Sequence, residues 1–300
     1  MPELPEVETV RAGLAAHLVG RQILAVQVRR PNLRFPFPED LSPRLEGRTV
    51  TAIERRAKYI LIRLNDDMTM LSHLGMTGRW RLVGGESADG EDSAIRGDFS
   101  NSASPVEQDV GDGKHDHLVI ELAGGRRAIY TDPRRFGYID IFDTELQNEN
   151  RFLHALGPEP LSDDLNQSGL TSSLQGRRTP IKVALLDQRT VAGLGNIYVC
   201  EILHRAGISP TRKASSISSQ EAARLVEHIR KVLLEAIAAG GSTLKDGMFS
   251  DVSGELGYFP TSFGVYDREG EPCLSEGCIG DIVRIVQQGR SSFYCRFCQE

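Results

Sequence analysis

Residues 181–206 read IKVALLDQRTVAGLGNIYVCEILHRA, and this stretch decides how the second half of the chain folds. The apolar spacing predicts a short helix over 181–187 and a second helix over 196–206. Between them, the segment 191–195 carries two glycines, which interrupt a helix and permit a tight turn. The stretch therefore predicts a helix-turn-helix arrangement, whose backbone amides and second-helix N-terminus suit a phosphate group.

The chain stays helical beyond this stretch and then changes character. Ser218 and Glu221 have capping-box spacing before an amphipathic helix over 222–239, which Gly240 and Gly241 end. Four of the five cysteines then fall within the last 28 residues. Their spacing is Cys-x4-Cys-x16-Cys-x2-Cys, formed by Cys273, Cys278, Cys295 and Cys298.

This cysteine spacing predicts one structural zinc ion. Two cysteine pairs can place four sulfurs at tetrahedral corners about 2.3 Å from zinc. The residues between the pairs predict a strand, a turn and a strand, with Arg290 at the tip. Two disulfides, free thiols and an iron–sulfur cluster are the alternatives. A secreted disulfide framework would spread its cysteines through the fold, so the clustering favours a metal in a reducing compartment.

The first half of the chain is rich in strand-forming residues behind one leading helix. Val7, Val10, Leu14 and Leu18 have helical spacing within 5–20. Strand character follows in four segments, with a hairpin turn at Gly124 and Gly125. The segments are 23–30, 50–64, 68–83 and 117–143.

The predicted fold is α+β, in three domains. A β-sandwich-like N-terminal domain led by a helix covers 1–145, and a helical domain with a helix-two-turn-helix covers 146–262. A β-hairpin zinc finger covers 263–300.

The net charge of −6 does not exclude a nucleic-acid partner. The segment 84–113 holds eight acidic residues and one basic residue, so the remainder of the chain carries +1. This acidic segment has little to bury, and we interpret it as a flexible surface insert rather than a dedicated acidic binding segment. The rest of the chain can therefore still bind DNA phosphates through its basic residues.

Nothing in the sequence predicts a membrane span or a leader. No stretch approaches the roughly 18 uncharged apolar residues that a spanning helix needs. The first ten residues are acidic and have no basic region of the kind that opens a signal peptide. We therefore expect a cytoplasmic protein.

A series of motifs along the chain resembles the bacterial formamidopyrimidine-DNA glycosylase family, whose members remove oxidised purines from DNA. The likeness implies a monomeric base-excision repair enzyme with glycosylase and abasic-site lyase activities, acting on damaged double-stranded DNA. The acidic insert and the x4 spacing of the first cysteine pair depart from the family pattern. The motifs are MPELPEVETV, RRAKYILI, SHLGMTGR, KHDH, YTDPRRFG, HALGPEPLSDD, LGNIY, GGSTLKD and GRSSFYCRFCQ.

The resemblance implies a catalytic group at the N-terminus. Pro2, exposed by removal of Met1, would attack the sugar C1′ of the damaged nucleotide and form a Schiff base that supports β,δ-elimination. Glu3 would be the general acid and base, with Glu6 supporting it. Lys58 would be the second catalytic amine, and Arg290 would contact phosphate and assist the second elimination.

The resemblance also implies DNA contacts. Met76, Arg134 and Phe136 would fill the gap left by the extruded nucleotide, and a loop over 243–259 would close over the flipped base. The residues implied to contact phosphate are His115, Arg177, Lys182, Asn196 and Arg290.

Local residue chemistry alone predicts less. Pro2 would be an ordinary helix-start proline, Lys58 a solvated strand lysine, and Met76 and Phe136 core residues. Two other functions remain open at this point. One is an endonuclease VIII-like enzyme for oxidised pyrimidines, and the other is a non-catalytic protein that binds bent or damaged DNA.

Overall fold

A computed structural model of the protein describes residues 2–84, 113–242 and 263–300. The predictions of a flexible insert over 84–113 and of a closing loop over 243–259 fall almost entirely outside these ranges. Met1 also lies outside them. Within the described residues, no helix combines the length and the apolar character needed to cross a membrane.

The first half of the chain is a β-sandwich led by a helix, as predicted. Two four-stranded antiparallel sheets have the strand orders β1-β6-β7-β5 and β2-β3-β4-β8. The elements are α1 (Leu4–Leu18), β1 (Ile23–Val28), α2 (Leu41–Leu45), β2 (Val50–Arg56), β3 (Tyr59–Leu64), β4 (Met68–His73), β5 (Arg79–Val83), β6 (Asp116–Leu122), β7 (Arg126–Thr131) and β8 (Tyr138–Asp143).

The predicted β-segments 50–64 and 68–83 each contain two strands rather than one, and the segment 117–143 contains three. The turn at Gly124 and Gly125 joins β6 to β7, as predicted. The turn between β2 and β3 was not predicted, and it consists of Ala57 and Lys58. The interpretation of Lys58 as a strand residue is therefore wrong, because the chain reverses direction at this lysine.

Helix α1 belongs to two cores. Val7, Val10, Leu14 and Leu18 are buried in the cluster that both sheets share. Leu4, one turn earlier, is buried in the cluster formed by the helices of the second half. Burial of apolar area is the main favourable term in folding. The first turn of α1 is thus held by both halves of the protein.

The second half is helical, and its helix-turn-helix prediction is confirmed. Its helices are α3 (Gln167–Leu174), α4 (Ile181–Leu186), α5 (Asn196–Arg205) and α6 (Ser219–Ala238). Ser218 and Glu221 form the predicted capping box, since each side chain bonds the backbone N–H of the other. The domain limits at 145 and 262 stay predictions.

The last part of the chain is the predicted cysteine-bearing hairpin. Strand β9 (Ile282–Gln287) pairs with β10 (Arg290–Cys295), and Gln287 lies opposite Arg290. The two turn residues, Gln288 and Gly289, have φ of 46° and 73°. Two positive φ values match the right-handed twist of a two-residue hairpin. Arg290 therefore lies at the exposed tip.

Candidate active site and DNA interface

The N-terminal turn of α1 packs against the glycine-bearing turn that precedes α5. The Leu4 N–H donates to Gly193 O at 3.3 Å. Gly193 has φ of 82°, and a Cβ there would lie 2.6 Å from the Leu4 side chain. A Cβ on Gly195 would lie 2.1 Å from the carboxyl carbon of Glu3. Both glycines are therefore needed for the N-terminus of the chain to approach this turn.

The carboxylate of Glu3 caps helix α5. Its Oε1 accepts the Ile197 N–H at 2.9 Å, and its Oε2 accepts the Tyr198 N–H at 3.4 Å. Only 2% of Glu3 is exposed. Burial raises the pKa of Glu3, Lys58 opposes that rise, and the neighbouring Glu6 adds to it. Glu3 thus keeps a proton to a higher pH than an ordinary glutamate.

Glu6 is fully engaged in hydrogen bonds and holds Glu3 in place. Its Oε2 accepts the Glu3 N–H at 2.8 Å. Its Oε1 accepts the Tyr198 hydroxyl, the Ser242 N–H at 2.8 Å and the Ser242 hydroxyl at 2.9 Å. A buried carboxylate with four donors has little freedom to move. Glu6 therefore fixes α1, α5 and the end of the α6 region relative to one another.

Lys58 is a buried amine close to this acidic pair. It is 8% exposed, although it lies in a turn. Burial lowers the pKa of Lys58, Glu3 raises it, and the cation of Arg290 lowers it. A larger share of neutral amine is therefore available than at a solvated lysine. Lys58, Glu3, Glu6 and Arg290 thus act on one another electrostatically, although they come from distant parts of the sequence.

Substitution of Gly195 by alanine is expected to damage both stability and the site. The added Cβ would overlap the Glu3 carboxylate, so either α1 or α5 must move. Overpacking of this kind costs about 1–3 kcal/mol of unfolding free energy. Chemical denaturation measures that loss. Gly176→Ala is the matched control for a glycine substitution, because its Cβ would meet nothing within 4 Å, although its φ of 70° adds backbone strain. Equal losses in the two variants would contradict the assigned role of Gly195.

The predicted wedge residues lie on two adjoining loops. Met76 is half-buried between β4 and β5, and Phe136 is 41% exposed between β7 and β8. The Arg134 guanidinium lies 4.8 Å from the centre of the Phe136 ring. A Cβ on Gly75 would lie 2.3 Å from Gly137 N, so the two loops touch backbone to backbone. The interpretation of Met76 and Phe136 as core residues is wrong, because neither is buried.

Sequence reasoning missed Asp132, which organises these two loops. It is fully buried. Its carboxylate accepts the Thr77 hydroxyl at 2.6 Å and the Gly137 N–H at 2.8 Å. The Thr77 oxygen in turn accepts the Arg134 N–H at 3.1 Å. An aspartate before a proline, in Asp-Pro-Arg-Arg, is a turn signal that would have pointed to it.

His73 was also missed. Its Nδ1 accepts the Gly75 N–H at 3.0 Å, and its ring stacks on Tyr138 at 4.8 Å. Burial lowers the pKa of His73 to about 3, and the cations of Lys58 and Arg34 add to the effect. The imidazole is therefore neutral at physiological pH. With Met76, Arg134 and Phe136, it lines a cleft of roughly 760 Å³.

Asn196 and Lys182 both bind strand β10 beside the tip of the cysteine hairpin. Their side-chain nitrogens donate to Ser291 O at 3.0 Å and 2.6 Å, respectively. Lys182 also donates to the Ser292 hydroxyl at 2.7 Å and has no exposed surface. The expected phosphate contact of Lys182 therefore needs correction, because its ammonium is already satisfied inside the protein. It holds Ser291, and with it the neighbouring Arg290, against α4 and α5.

The other expected phosphate contacts remain accessible in part. Arg290 is exposed, while Arg177 and His115 are half-buried. Arg177 forms an ion pair with Asp187 at 3.1 Å. The backbone oxygen of His115 accepts the N–H of Asp132, so His115 lies beside the wedge loop. These residues thus lie on separate elements, and a DNA contact for each stays a prediction.

The four clustered cysteines form a centre that fits a tetrahedral metal. Their ligand atoms lie within 4.8 Å of one another. The Sγ–Sγ distance is 3.7 Å for Cys273 and Cys298, and 3.6 Å for Cys278 and Cys295. A tetrahedron with zinc–sulfur bonds of about 2.3 Å has edges of about 3.8 Å. Backbone N–H groups of Ser275, Gly280 and Phe297 point at three of the sulfurs, as suits thiolates.

Comparisons with characterised proteins agree with this architecture. The formamidopyrimidine-DNA glycosylase N-terminal domain matches residues 1–139, and the H2TH domain of the same family matches residues 156–247. The formamidopyrimidine-DNA glycosylases of Ruegeria pomeroyi and Roseobacter denitrificans are each 51% identical to the chain over 299 residues, covering 100% of both partners.

Solved structures show the same likeness. The MutM (Fpg) protein of Thermus thermophilus superposes with a TM-score of 0.82 at 36% identity, over 99% of this chain and 98% of that one. The Lactococcus lactis Fpg in complex with DNA containing an abasic site gives a TM-score of 0.83 at 32% identity, over 100% of both chains. The chain therefore belongs to the formamidopyrimidine-DNA glycosylase family and is a DNA glycosylase.

Proposed function

We propose that this protein removes oxidised purines, such as 8-oxoguanine and formamidopyrimidines, from double-stranded DNA and then cleaves the abasic strand. One observation carries the proposal. The acidic pair at the start of α1 lies buried over the N-terminus of α5 and beside the buried amine of Lys58. A buried acid and a buried amine beside Pro2, whose nitrogen is a free amine once Met1 is removed, are the groups that Schiff-base chemistry requires.

Pro2 is the proposed nucleophile. An α-amine with a pKa near 8 leaves roughly a tenth of its molecules unprotonated at neutral pH, far more than a solvated lysine. Its lone pair forms a bond to C1′ as the bond from C1′ to the base breaks. The base leaves with the electron pair of the broken bond and takes up the proton that the proline nitrogen releases. Because the proline nitrogen is secondary, opening of the sugar ring gives an iminium ion.

Glu3 is the proposed acid for ring opening. As the bond from C1′ to the ring oxygen breaks, the oxygen takes its proton from Glu3. The iminium then draws electrons from C2′, so that loss of a C2′ proton expels the 3′ phosphate. Loss of a C4′ proton similarly expels the 5′ phosphate in the second elimination. The raised pKa of Glu3 supports this role, because it keeps the acid protonated.

Lys58 and Arg290 are proposed to bind the reacting nucleotide. The lowered pKa of Lys58 supports an amine that exchanges protons near the base and its phosphate. Arg290 carries a permanent charge at the exposed hairpin tip, where it can meet a phosphate. His115, Arg177 and Asn196 are proposed as further phosphate contacts.

The wedge loops are proposed to fill the stack after the nucleotide is extruded. Extrusion costs a few kcal/mol and leaves a gap between base pairs. Phe136 supplies an exposed aromatic plane, and Met76 supplies a flexible thioether. Arg134, held over the Phe136 ring, can donate to the unpaired partner base.

The cysteine centre is proposed to hold one structural zinc ion through Cys273, Cys278, Cys295 and Cys298. When bound, the ion would cross-link the two ends of the hairpin through metal–thiolate bonds. Its proposed function is indirect, since it orders the strands that carry Arg290.

Replacement of Cys295 by serine is expected to release the zinc and weaken DNA binding. Loss of one thiolate leaves an incomplete ligand set, so the hairpin that carries Arg290 loosens. Metal content by mass spectrometry and DNA affinity by fluorescence anisotropy measure the two effects. Cys200→Ser is the matched control, because Cys200 is also a buried cysteine but is not one of the four grouped ligands. Unchanged DNA affinity in zinc-free Cys295→Ser protein would contradict the proposed link.

The substrate class is tested by parallel cleavage of duplexes that carry 8-oxoguanine or thymine glycol. Preference for 8-oxoguanine by at least about tenfold, or 1.4 kcal/mol of differential transition-state binding, is the expected result. Preference for thymine glycol would instead support an endonuclease VIII-like enzyme. Binding without cleavage of either duplex would favour a non-catalytic DNA-binding protein.

A further inference from the structure

The turn that carries Lys58 has an unusual backbone. Ala57 has φ of 54°, a left-handed conformation that L residues other than glycine rarely adopt. Ala57 is also completely buried. No glycine or asparagine is present in the turn to make this conformation easy. The tertiary structure must therefore supply the contacts that hold it.

Glu159 supplies those contacts from the second half of the chain. Its Oε1 accepts the Ala57 N–H and also Nη1 of Arg56 at 2.7 Å. Its Oε2 accepts Nη1 of Arg55 at 2.8 Å, and that same nitrogen donates to Ala57 O at 3.1 Å. Both backbone polar groups of Ala57 are thus held, one directly by Glu159 and the other through its ion-pair partner.

The same ion pairs continue to the catalytic helix. Arg55 Nε donates to Glu8 Oε2 at 2.9 Å, and Glu8 lies on α1. The Arg55 side chain is only 9% exposed, so solvent screens this network less than it screens surface pairs. The network therefore links the turn of Lys58 to the helix whose first residues include Glu3. This link fixes the position of the Lys58 backbone relative to Glu3.

We propose that Glu159 is a positioning residue that holds the Ala57 turn and thereby aims the Lys58 amine at the reaction site. A lysine amine is a point charge on a long flexible stem, so its position depends on where the stem is anchored. Misplacement of a reacting group by about 1 Å can cost on the order of 100-fold in rate. This inference rests on the proposed function, because it needs a role for Lys58 in excision.

The first test is chemical labelling of lysines, which does not depend on activity. The holoprotein and Glu159→Ala are treated with a lysine-acetylating reagent, and each site is quantified by mass spectrometry. Lys58 is expected to react several-fold faster in the variant, because its stem is released. Lys182 is the internal control, since it is fully buried and its ammonium donates to Ser291 and Ser292 rather than to Glu159. A parallel rise at Lys182 would indicate general loosening and overturn the proposal.

The second test is a double-mutant cycle on base excision. Single-turnover rates on an 8-oxoguanine duplex are compared for wild type, Glu159→Ala, Lys58→Ala and the double variant. Glu159→Ala is expected to slow excision about 10- to 100-fold in the wild-type background and less than about twofold in Lys58→Ala. Equal fold-losses in both backgrounds would overturn the proposal.

Two further variants keep the tests decisive. Glu54→Gln is the matched control, because Glu54 lies on β2 beside Arg55, and its carboxylate accepts two hydrogen bonds from Arg63 rather than from Ala57. It is expected to leave labelling and excision unchanged. If Glu159→Ala does not fold, Glu159→Gln enters both tests, since its amide oxygen still accepts the Ala57 N–H. A wild-type protein that excises no lesion would refute the proposed function. An active wild-type protein in which the effects of the Glu159 and Lys58 substitutions are independent would refute only this inference.

Discussion

A chain that keeps Met1, or any extension before Pro2, is expected to lose at least about 10³-fold in lesion cleavage, as enzymes do when a nucleophile is removed. The reason is electronic. An acylated proline nitrogen is an amide, whose lone pair is delocalised into the carbonyl group and cannot attack C1′. The proposed iminium ion then cannot form, although the fold, the cysteine centre and the DNA surface stay intact.

Borohydride trapping measures this effect directly. The protein whose first residue is Pro2 is expected to give a reduced cross-link to an 8-oxoguanine duplex, and mass mapping is expected to locate it at Pro2. The protein with a retained extension is the control, and it should bind the same duplex without a cross-link. A cross-link at Lys58, or equal trapping of both proteins, would show that Pro2 is not the nucleophile.

Replacement of Glu3 by glutamine is expected to give the second largest loss, about 10²- to 10⁴-fold in base excision. Glutamine has no acidic proton for the ring oxygen. Its amide can still offer one oxygen to the Ile197 N–H, so part of the α5 cap survives. A duplex that already contains an abasic site should be affected less, because its sugar exists partly in the open form.

The pH dependence distinguishes a proton donor from a structural cap. Burial raises the pKa of Glu3, so the protonated form is favoured up to that pKa and is lost as the pH rises through it. The wild-type excision rate should therefore decrease as the pH rises above the Glu3 pKa. The residual activity of Glu3→Gln should not show this alkaline decrease. Because Lys58 also titrates in this site, Lys58→Ala is the control. If the alkaline decrease in the excision rate disappears only in Lys58→Ala, that decrease reports titration of Lys58 rather than of Glu3.

The raised pKa of Glu3 also makes the stability of the fold depend on pH. The folded state binds the Glu3 proton more tightly than the unfolded state does. Above an ordinary glutamate pKa of about 4.3, the contribution of Glu3 to stability therefore falls as the pH rises through the raised value. Glu3→Gln should remove this contribution, which a comparison of denaturation curves at pH 5 and pH 8 would detect.

Several elements could be predicted because their determinants are close in sequence. The capping box of Ser218 and Glu221, the hairpin turn at Gly124 and Gly125 and the cysteine spacing each depend on neighbouring residues. Other predictions were wrong where a distant partner decided the outcome. Ala57 and Lys58 interrupt a run of strand-forming residues, and their turn is held by Glu159, 102 residues beyond Ala57.

Burial was the least predictable property of the site. Lys58 is buried although lysine is rarely so, and Phe136 is exposed although phenylalanine is usually buried. Asp132 explains the second case, because its hydrogen bonds hold the loop that presents Phe136 away from the core. Such contacts join residues on different strands, and no periodicity within one strand records them.

The sequence by itself determined most of the secondary structure, the cysteine centre and, through its motifs, the residues proposed for the site. Tertiary structure alone decided the chemical state of those residues. Glu3 reaches the amides of α5 across 194 residues. The burial that this packing imposes raises the pKa of Glu3, although the two amide hydrogen bonds lower it. Local preferences arise from backbone sterics and neighbouring side chains, whereas burial and electrostatic coupling depend on which distant surfaces meet.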